Sequence, residues 1–242
     1  PRLTVMPSLI HTQLTDDNSK TLTPSDLTLY HINIHSLLKH FDTLLTHLSL
    51  LQNQPKLITL TETFLPTNVH PNAFPIPNYK QPIHLPHKSN HKQGGTSLYI
   101  HNTLSHVHLE DLSIPNTETI VIQLTEPDLH TIINTYRSPS TNRMQFIQDL
   151  QTLIHKIQTN YPTTYITLTG DINFNLFKLT PISPFTDFML DNQLLTTTTQ
   201  PTRLDPVHHT LSCLDILLRN YIHNDITASV VSPSLRHLHR HP

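Results

Sequence analysis

The sequence predicts an α/β protein in four layers, a sandwich of two mixed β-sheets packed face to face with helices on their outer surfaces. Three observations carry that prediction. Short apolar, β-rich runs recur along the chain, among them "KLITLTETFLP", "TIVIQLT", "TYITLT" and "ITASVV". Two longer stretches instead place apolar residues at helical spacing. Their order is strand–helix–strand, several strands, then helix–strand–helix–strand, which suits sheets whose outer faces need helical cover.

The elements follow in sequence. Residues 1–25 are polar and aperiodic and read as a poorly ordered leader, with one domain over 26–242. "DLTLYHINI" (26–34) alternates Leu27 and Leu29 with polar neighbours and reads as a strand. Ser36 stands where a helix cap belongs, and Leu37, Phe41, Leu44, Leu48 and Leu51 then form one apolar stripe. "KLITLTETFLP" (56–66) is a second strand, closed by Pro66. Residues 66–93, rich in Pro, Asn and His, read as loop, and Gly94 and Gly95 introduce the strand in "GGTSLYIHN". Residues 119–125 and 130–136 flank "EPD" as a hairpin. Ile147, Leu150, Ile154 and Ile157 mark a second helix, and residues 164–169 a strand leading into "GDINFN". Ser183 and Pro184 open a short helix, and 211–218 and 226–231 are late strands. No internal repeat or second domain is visible.

Composition narrows the function classes. A chain of 242 residues suits one large domain. Its charged fraction is 13%, against the usual ~25%, and its net charge is −2. There is thus no global electrostatic pull towards nucleic acid or membrane, although a local groove can be basic on a neutral protein. A lone Cys213 rules out an internal disulfide framework and a multi-cysteine zinc site. No apolar run approaches the ~20 residues that span a bilayer, and the first residues lack a signal-peptide pattern. The expected setting is nuclear or cytoplasmic, with no membrane partner. The chain begins with Pro1 rather than Met and reads as a piece of a longer protein. His and Pro number 20 each against 3 Gly and no Trp, a skew that follows a guanine-poor coding strand. Most histidines therefore reflect codon bias, including the alternating His237, His239 and His241.

The acids are scarce and specifically placed. Phosphodiester hydrolysis needs a divalent ion, a positioned water and polar groups that stabilise the charged transition state. Hard ions such as Mg²⁺ select oxygen ligands and keep several waters, so one or two carboxylates suffice. Glu62 follows "LITLT", Asp171 and Asn173 follow "YITLT", and Asp215 lies within "SCLDILL". Asn33 interrupts the first apolar strand and Tyr136 closes a hairpin strand. Gly170 is expected to make a tight turn at the strand end, and Asp171 and Asn173, two apart, share one side of an extended segment. Plainer readings stay open: Asn33 and Tyr136 as ordinary strand residues, Asp171 with Asn173 as an Asx turn. Asp215 resists one, because a carboxylate buried in an apolar strand is costly without a partner.

Taken in order, "HINIHSLLKHFDTLLTHL", "LITLTETFLP", "GGTSLYIHN", "INTYRSPST", "LTGDINFNL" and "PTRLDPVHHTLSCLDILLRN" resemble the successive motifs of the endonuclease/exonuclease/phosphatase superfamily. They are most similar to the apurinic-type endonuclease domains of non-LTR (LINE-type) retrotransposons, and the resemblance spans residues 27 to 232. It implies a DNase I-like fold and a role for each matching position. Asn33 and Glu62 would hold Mg²⁺ (or Mn²⁺), and Tyr136 would contact the scissile phosphate. Asp171 would activate or orient the attacking water, with Asn173 stabilising the phosphate. Asp215 matches the acid of the last motif. Thr202 and Ser212 would line the groove, His209 in the "PVHHTLS" loop would touch substrate, and His237 would fill the terminal histidine slot. The implied partners are DNA and a reverse transcriptase downstream in the same polyprotein, with the domain itself monomeric. One departure stands out. The family ends in Ser-Asp-His and an apolar strand, whereas "SPSLRHLHRHP" places Arg236 before His237 and lacks that strand, as in a domain truncated at its C-terminal end. Without the carboxylate, the imidazole tautomer is not fixed. The expected function is a Mg²⁺-dependent DNA endonuclease that nicks its target to prime reverse transcription. Two alternatives stay open: a decayed, catalytically dead copy, and a phosphatase on other phosphoesters.

Overall fold

Two six-stranded sheets face each other in the computed structural model, which describes residues 9–14, 27–87, 94–115, 117–126, 128–204, 208–221 and 226–231. In chain order the strands are β1 (Leu9–Leu14), β2 (Leu29–Asn33), β3 (Leu57–Thr61), β4 (Ile83–Leu85), β5 (Thr96–Ile100), β6 (His106–His108), β7 (Glu118–Leu124) and β8 (His130–Tyr136). They continue as β9 (Tyr165–Asp171), β10 (Leu195–Thr196), β11 (Arg203–Leu204), β12 (Leu211–Ser212), β13 (Asp215–Arg219) and β14 (Ile226–Val231). Helix α1 (Leu37–Ser49) follows β2, α2 (Arg143–Asn160) follows β8, and α3 (Pro184–Asp191) follows β9.

The first sheet runs β14-β1-β2-β3-β5-β4 and the second β10-β13-β9-β8-β7-β6, with β11 and β12 as a separate ribbon. Both sheets are mixed: β2 and β3 are parallel, as are β8 and β9, and the remaining pairs are antiparallel. Three apolar layers separate the four structural ones. Tyr30, Ile32, Ile58 and Leu60 on one face of the first sheet pack against Leu37, Leu44 and Leu48 of α1. Leu29, Leu57 and Leu98 on its other face meet Ile120, Ile122, Ile132 and Leu217 of the second sheet. Val121, Ile133, Ile166, Leu168 and Ile216 then bury against Phe146, Leu150 and Ile154 of α2 and Phe185 and Phe188 of α3. The period-2 strands thus sort their side chains between an intersheet layer and a helix layer.

Several elements differ from the sequence expectation. Leu9–Leu14, within the stretch read as leader, is a strand paired with both β2 and β14. Backbone pairing on two sides satisfies its peptide groups whatever its composition. The loop over 66–93 contains β4, which pairs with β5. The run 211–218 divides into β12 and β13, which belong to different sheets.

Candidate active site

Along six central strands the inward-facing residues change character towards one end of the sandwich. On β2 the sequence inward is Leu29, His31, Asn33; on β3 it is Leu57, Thr59, Thr61. The second sheet answers with Ile132, Asn134 and Tyr136 on β8, Thr169 and Asp171 on β9, Leu217 and Asp215 on β13, and Ile120 and Glu118 on β7. The sheets are stitched together here by side chains. Asn134 Nδ2 donates to the carbonyls of Leu60 and Ser97, each at 3.2 Å.

Asp171 is the hub. Its Oδ2 accepts from Asn33 Nδ2 at 2.8 Å, across the two sheets, and its Oδ1 accepts from the backbone N–H of Asn173 at 2.9 Å. In the ladders it stands opposite Asp215 on one side and Tyr136 on the other. Asn173 Nδ2 donates to the Arg137 carbonyl at 2.8 Å. Arg137 itself is fully buried. Its guanidinium donates to the carbonyls of Ile172, Ser138, Thr141 and Asn173, and it lies 4.6 Å over the Phe174 ring. One side chain thus locks the exit of β9 to the loop after β8. Glu62 sits just beyond β3, partly exposed, with Oε2 2.9 Å from His35 Nδ1. Thr202 supports Asp215 from behind, its Oγ1 accepting from the N–H groups of Leu214 and Asp215 at 3.0 and 3.2 Å.

Negative charge is crowded here. The Asp171 carboxyl is held well above the usual carboxylate range, first by burial and then by the charges of Asp215 and Glu62, against the hydrogen bonds from Asn173 and Asn33. Burial likewise raises the Tyr136 hydroxyl, reinforced by Glu62, Asp171 and Glu118, so it remains a protonated donor at neutral pH. Glu118, beside Tyr136 in the β7–β8 ladder, is raised by burial and lowered in part by its partner His87.

The donors are carboxylate and amide oxygens, the set that suits a hard divalent cation. A cation there would offset the repulsion that raises Asp171. Among the described residues no three His, Cys, Asp or Glu side chains form a complete protein cage. One or two carboxylates with retained waters is the mode that Mg²⁺ prefers. The donor set therefore fits such an ion.

The structure brings together Asn33, Glu62, Tyr136, Asp171, Asn173 and Asp215, with Thr202 behind them. Ser212 and His209 lie on the β11–β12 ribbon, where Ser212 pairs with Arg203 and His209 is exposed with φ 51°. His237 lies outside the described residues. Sequence reasoning missed His31, Glu118 and Arg137. His31 shares an alternating face with Asn33 and Arg137 adjoins Tyr136, but one was hidden among 20 histidines and the other opens a Ser- and Pro-rich stretch.

The architecture and this polar end define the chain as having the endonuclease/exonuclease/phosphatase fold. The solved structures it resembles include the endonuclease domain of TRAS1, a telomere-specific non-LTR retrotransposon, at a TM-score of 0.56 and 10% identity over 78% of this chain and 83% of that one. An AP endonuclease from Leishmania major aligns at a TM-score of 0.58 and 14% identity, covering 76% of this chain and 74% of its own. The 3'-5' exonuclease NExo from Neisseria meningitidis aligns at 0.56 and 15%, covering 79% and 86%. At such identities the likeness establishes the fold. The sequence matches no family model and no curated protein.

Proposed function

We propose that the chain is a divalent-metal-dependent DNA endonuclease domain of a non-LTR retrotransposon, nicking one strand of its target to leave the 3′-hydroxyl that primes reverse transcription. The observation that carries this reading is the convergence of Asn33, Glu62, Tyr136, Asp171, Asn173 and Asp215 at one polar end of the sandwich. TRAS1 supports the retroelement setting, and NExo has been solved bound to a product DNA hairpin. In this reading Asn33 and Glu62 hold Mg²⁺ or Mn²⁺, which when bound supplies Lewis-acid stabilisation of a phosphate oxygen. Tyr136, kept protonated by its burial and acidic neighbours, donates to the scissile phosphate. Asp171 activates or orients the attacking water, acting as its base when a bound cation offsets the crowding that raises its carboxyl, and Asn173 steadies the phosphate through its amide. Asp215 stands opposite Asp171 in the β13–β9 ladder as the acid of the last motif. The domain works as a monomer on DNA, in the nucleus or cytoplasm, with a reverse transcriptase downstream. Among the described residues no helix is long and apolar enough to cross a membrane.

The test is nicking of supercoiled plasmid at millimolar Mg²⁺. Glu62→Gln keeps the shape but removes the charge that holds a hard cation, and is expected to abolish most cutting. Undiminished nicking by the variant removes Glu62 from the site. Release of inorganic phosphate from 3′-phosphorylated ends without nicking would instead favour the phosphatase reading. A second reading, a decayed copy, is favoured by Arg236 standing directly before His237. Acid–base assistance is worth about 10²–10⁴-fold, so in a decayed copy Arg236→Asp is expected to raise cutting by a large part of that factor.

A further inference from the structure

Asp215 has a partner that neither the motif pattern nor the proposed roles include. Across the intersheet space, on β2, His31 is completely buried. Its Nε2 stands 3.3 Å from Asp215 Oδ1, an ion-pair contact, and its Nδ1 lies 3.0 Å from Thr59 Oγ1. The three side chains come from β3, β2 and β13, so the chain Thr59–His31–Asp215 crosses from one sheet to the other directly beneath Asp171. We infer that His31 is a positioning residue of the site, fixing the Asp215 carboxylate from the opposite sheet while Thr59 fixes the imidazole.

The inferred pairing with Asp215 selects one tautomer. A carboxylate oxygen accepts, so a ring nitrogen that pairs with it carries the hydrogen. Nδ1 is then the acceptor, and the Thr59 hydroxyl donates to it. The same hydroxyl lies 3.3 Å from the Tyr30 carbonyl, the longer of its two contacts. The ring is thus hydrogen-bonded at Nδ1 to one neighbouring strand and faces the Asp215 carboxylate of the other sheet with Nε2. Asp215, itself 3% exposed, is buried against this ring. Its rotamer matters because Asp215 stands opposite Asp171 in the β13–β9 ladder. In this inference His31 helps to set where the Asp215 carboxylate lies relative to the residue proposed to handle the attacking water. It is buried and touches no substrate, so it acts only through Asp215.

The kinetic consequence rests on the nuclease reading; the contact itself does not, and the test separates the two. His31→Gln places an amide N–H where Nε2 was, whereas His31→Asn reaches only towards Thr59 and removes the contact with Asp215. We expect His31→Asn to lower kcat about 10–100-fold with KM unchanged, and His31→Gln to retain most activity. In the Asp215→Asn background, His31→Asn should add no further loss, since both act on one carboxylate. Independently of activity, ¹⁵N spectra of the wild type should show His31 as the Nε2–H tautomer, with ring-nitrogen resonances that move in Asp215→Asn. Equal kcat in wild type and both His31 variants, with only thermal stability lowered, would reduce His31 to a core residue and overturn the inference. So would ring resonances that ignore Asp215→Asn. A wild type that cuts no DNA would sink the nuclease reading alone, leaving the spectra to decide the positioning contact in either direction.

Discussion

Gly170 lies inside β9 rather than at a turn beyond it. Its φ is +141°, and a Cβ built there would meet the Thr135 carbonyl oxygen at 1.8 Å. Thr135 is its parallel partner on β8, so the glycine is required by close approach of two backbones. The turn comes later, at Asn173, whose φ is +53° and whose N–H returns to Asp171 Oδ1. The Asx-turn reading and the site reading of Asp171 therefore describe the same geometry: the turn's own hydrogen bond aims the carboxylate. Gly170→Ala should cost about 4 kcal/mol or more, the range reserved for severe steric faults, measured as a shift of the urea midpoint. A loss below about 1 kcal/mol, the scale of a tolerated Gly-to-Ala change, would show that β8 yields easily at this point.

At the scale of elements, the strands that deliver the site leave their sheets through left-handed residues. After β2 come His35 and Ser36 at φ +47° and +96°, Glu62 at +51° follows β3, and Asn173 follows β9. Such conformations cost about 1–3 kcal/mol each in non-glycine residues and persist where surrounding contacts impose them. For the first two those contacts are visible. Ser36 N–H donates to the Glu62 carbonyl at 2.8 Å, and Leu37 N–H to the Thr63 carbonyl at 2.9 Å. The start of α1 is thus tied to the exit of β3, and the Ser36 hydroxyl makes no cap bond, contrary to its expected role. At α2 the local rule holds: Asn142 Oδ1 accepts from Gln145 N–H at 3.1 Å. Asn142→Ala should therefore cost about 1 kcal/mol, and Ser36→Ala should stay within about 0.5 kcal/mol. Equal losses would mean that the Ser36 hydroxyl caps α1 after all. The pair also marks what was legible. Strong periodicity located α1, α2 and the β7–β8 hairpin, and 226–231 was read with the bounds of β14. Short strands such as β4, β6 and β10 were not, because they exist by virtue of partners distant in sequence. The same applies at the site: ordered motifs pointed to Asp171 and Asp215, but only the three-dimensional pairing exposes His31 and Arg137.

On the scale of the whole molecule, burying so many histidines in a four-layer sandwich makes stability depend on acid. His130 opens β8 on its inner side, with Nε2 2.8 Å from Thr167 Oγ1 and its ring edge-on to Tyr221. Burial alone pushes its pKa from 6.5 down to about 3. Burial also heads the causes that lower His40, His47, His84, His101 and His106, so these act in the same direction. The sign follows from proton counting. Between about pH 3 and pH 6.5 the unfolded chain holds a proton on His130 that the folded chain does not, so stability rises with pH across this window and is lost as pH falls below about 6.5. At full effect one such group contributes about 1.4 kcal/mol per pH unit. His130→Gln can keep an amide near Thr167 without a titrating ring. Thermal unfolding without added divalent ions should show the wild type losing Tm faster than this variant from pH 7 to pH 5, with the curves converging near pH 7.5. Parallel curves over the whole range would mean that His130 takes up its proton without unfolding. The β8–β9 seam at its His130–Tyr165 end would then admit water that its packing excludes.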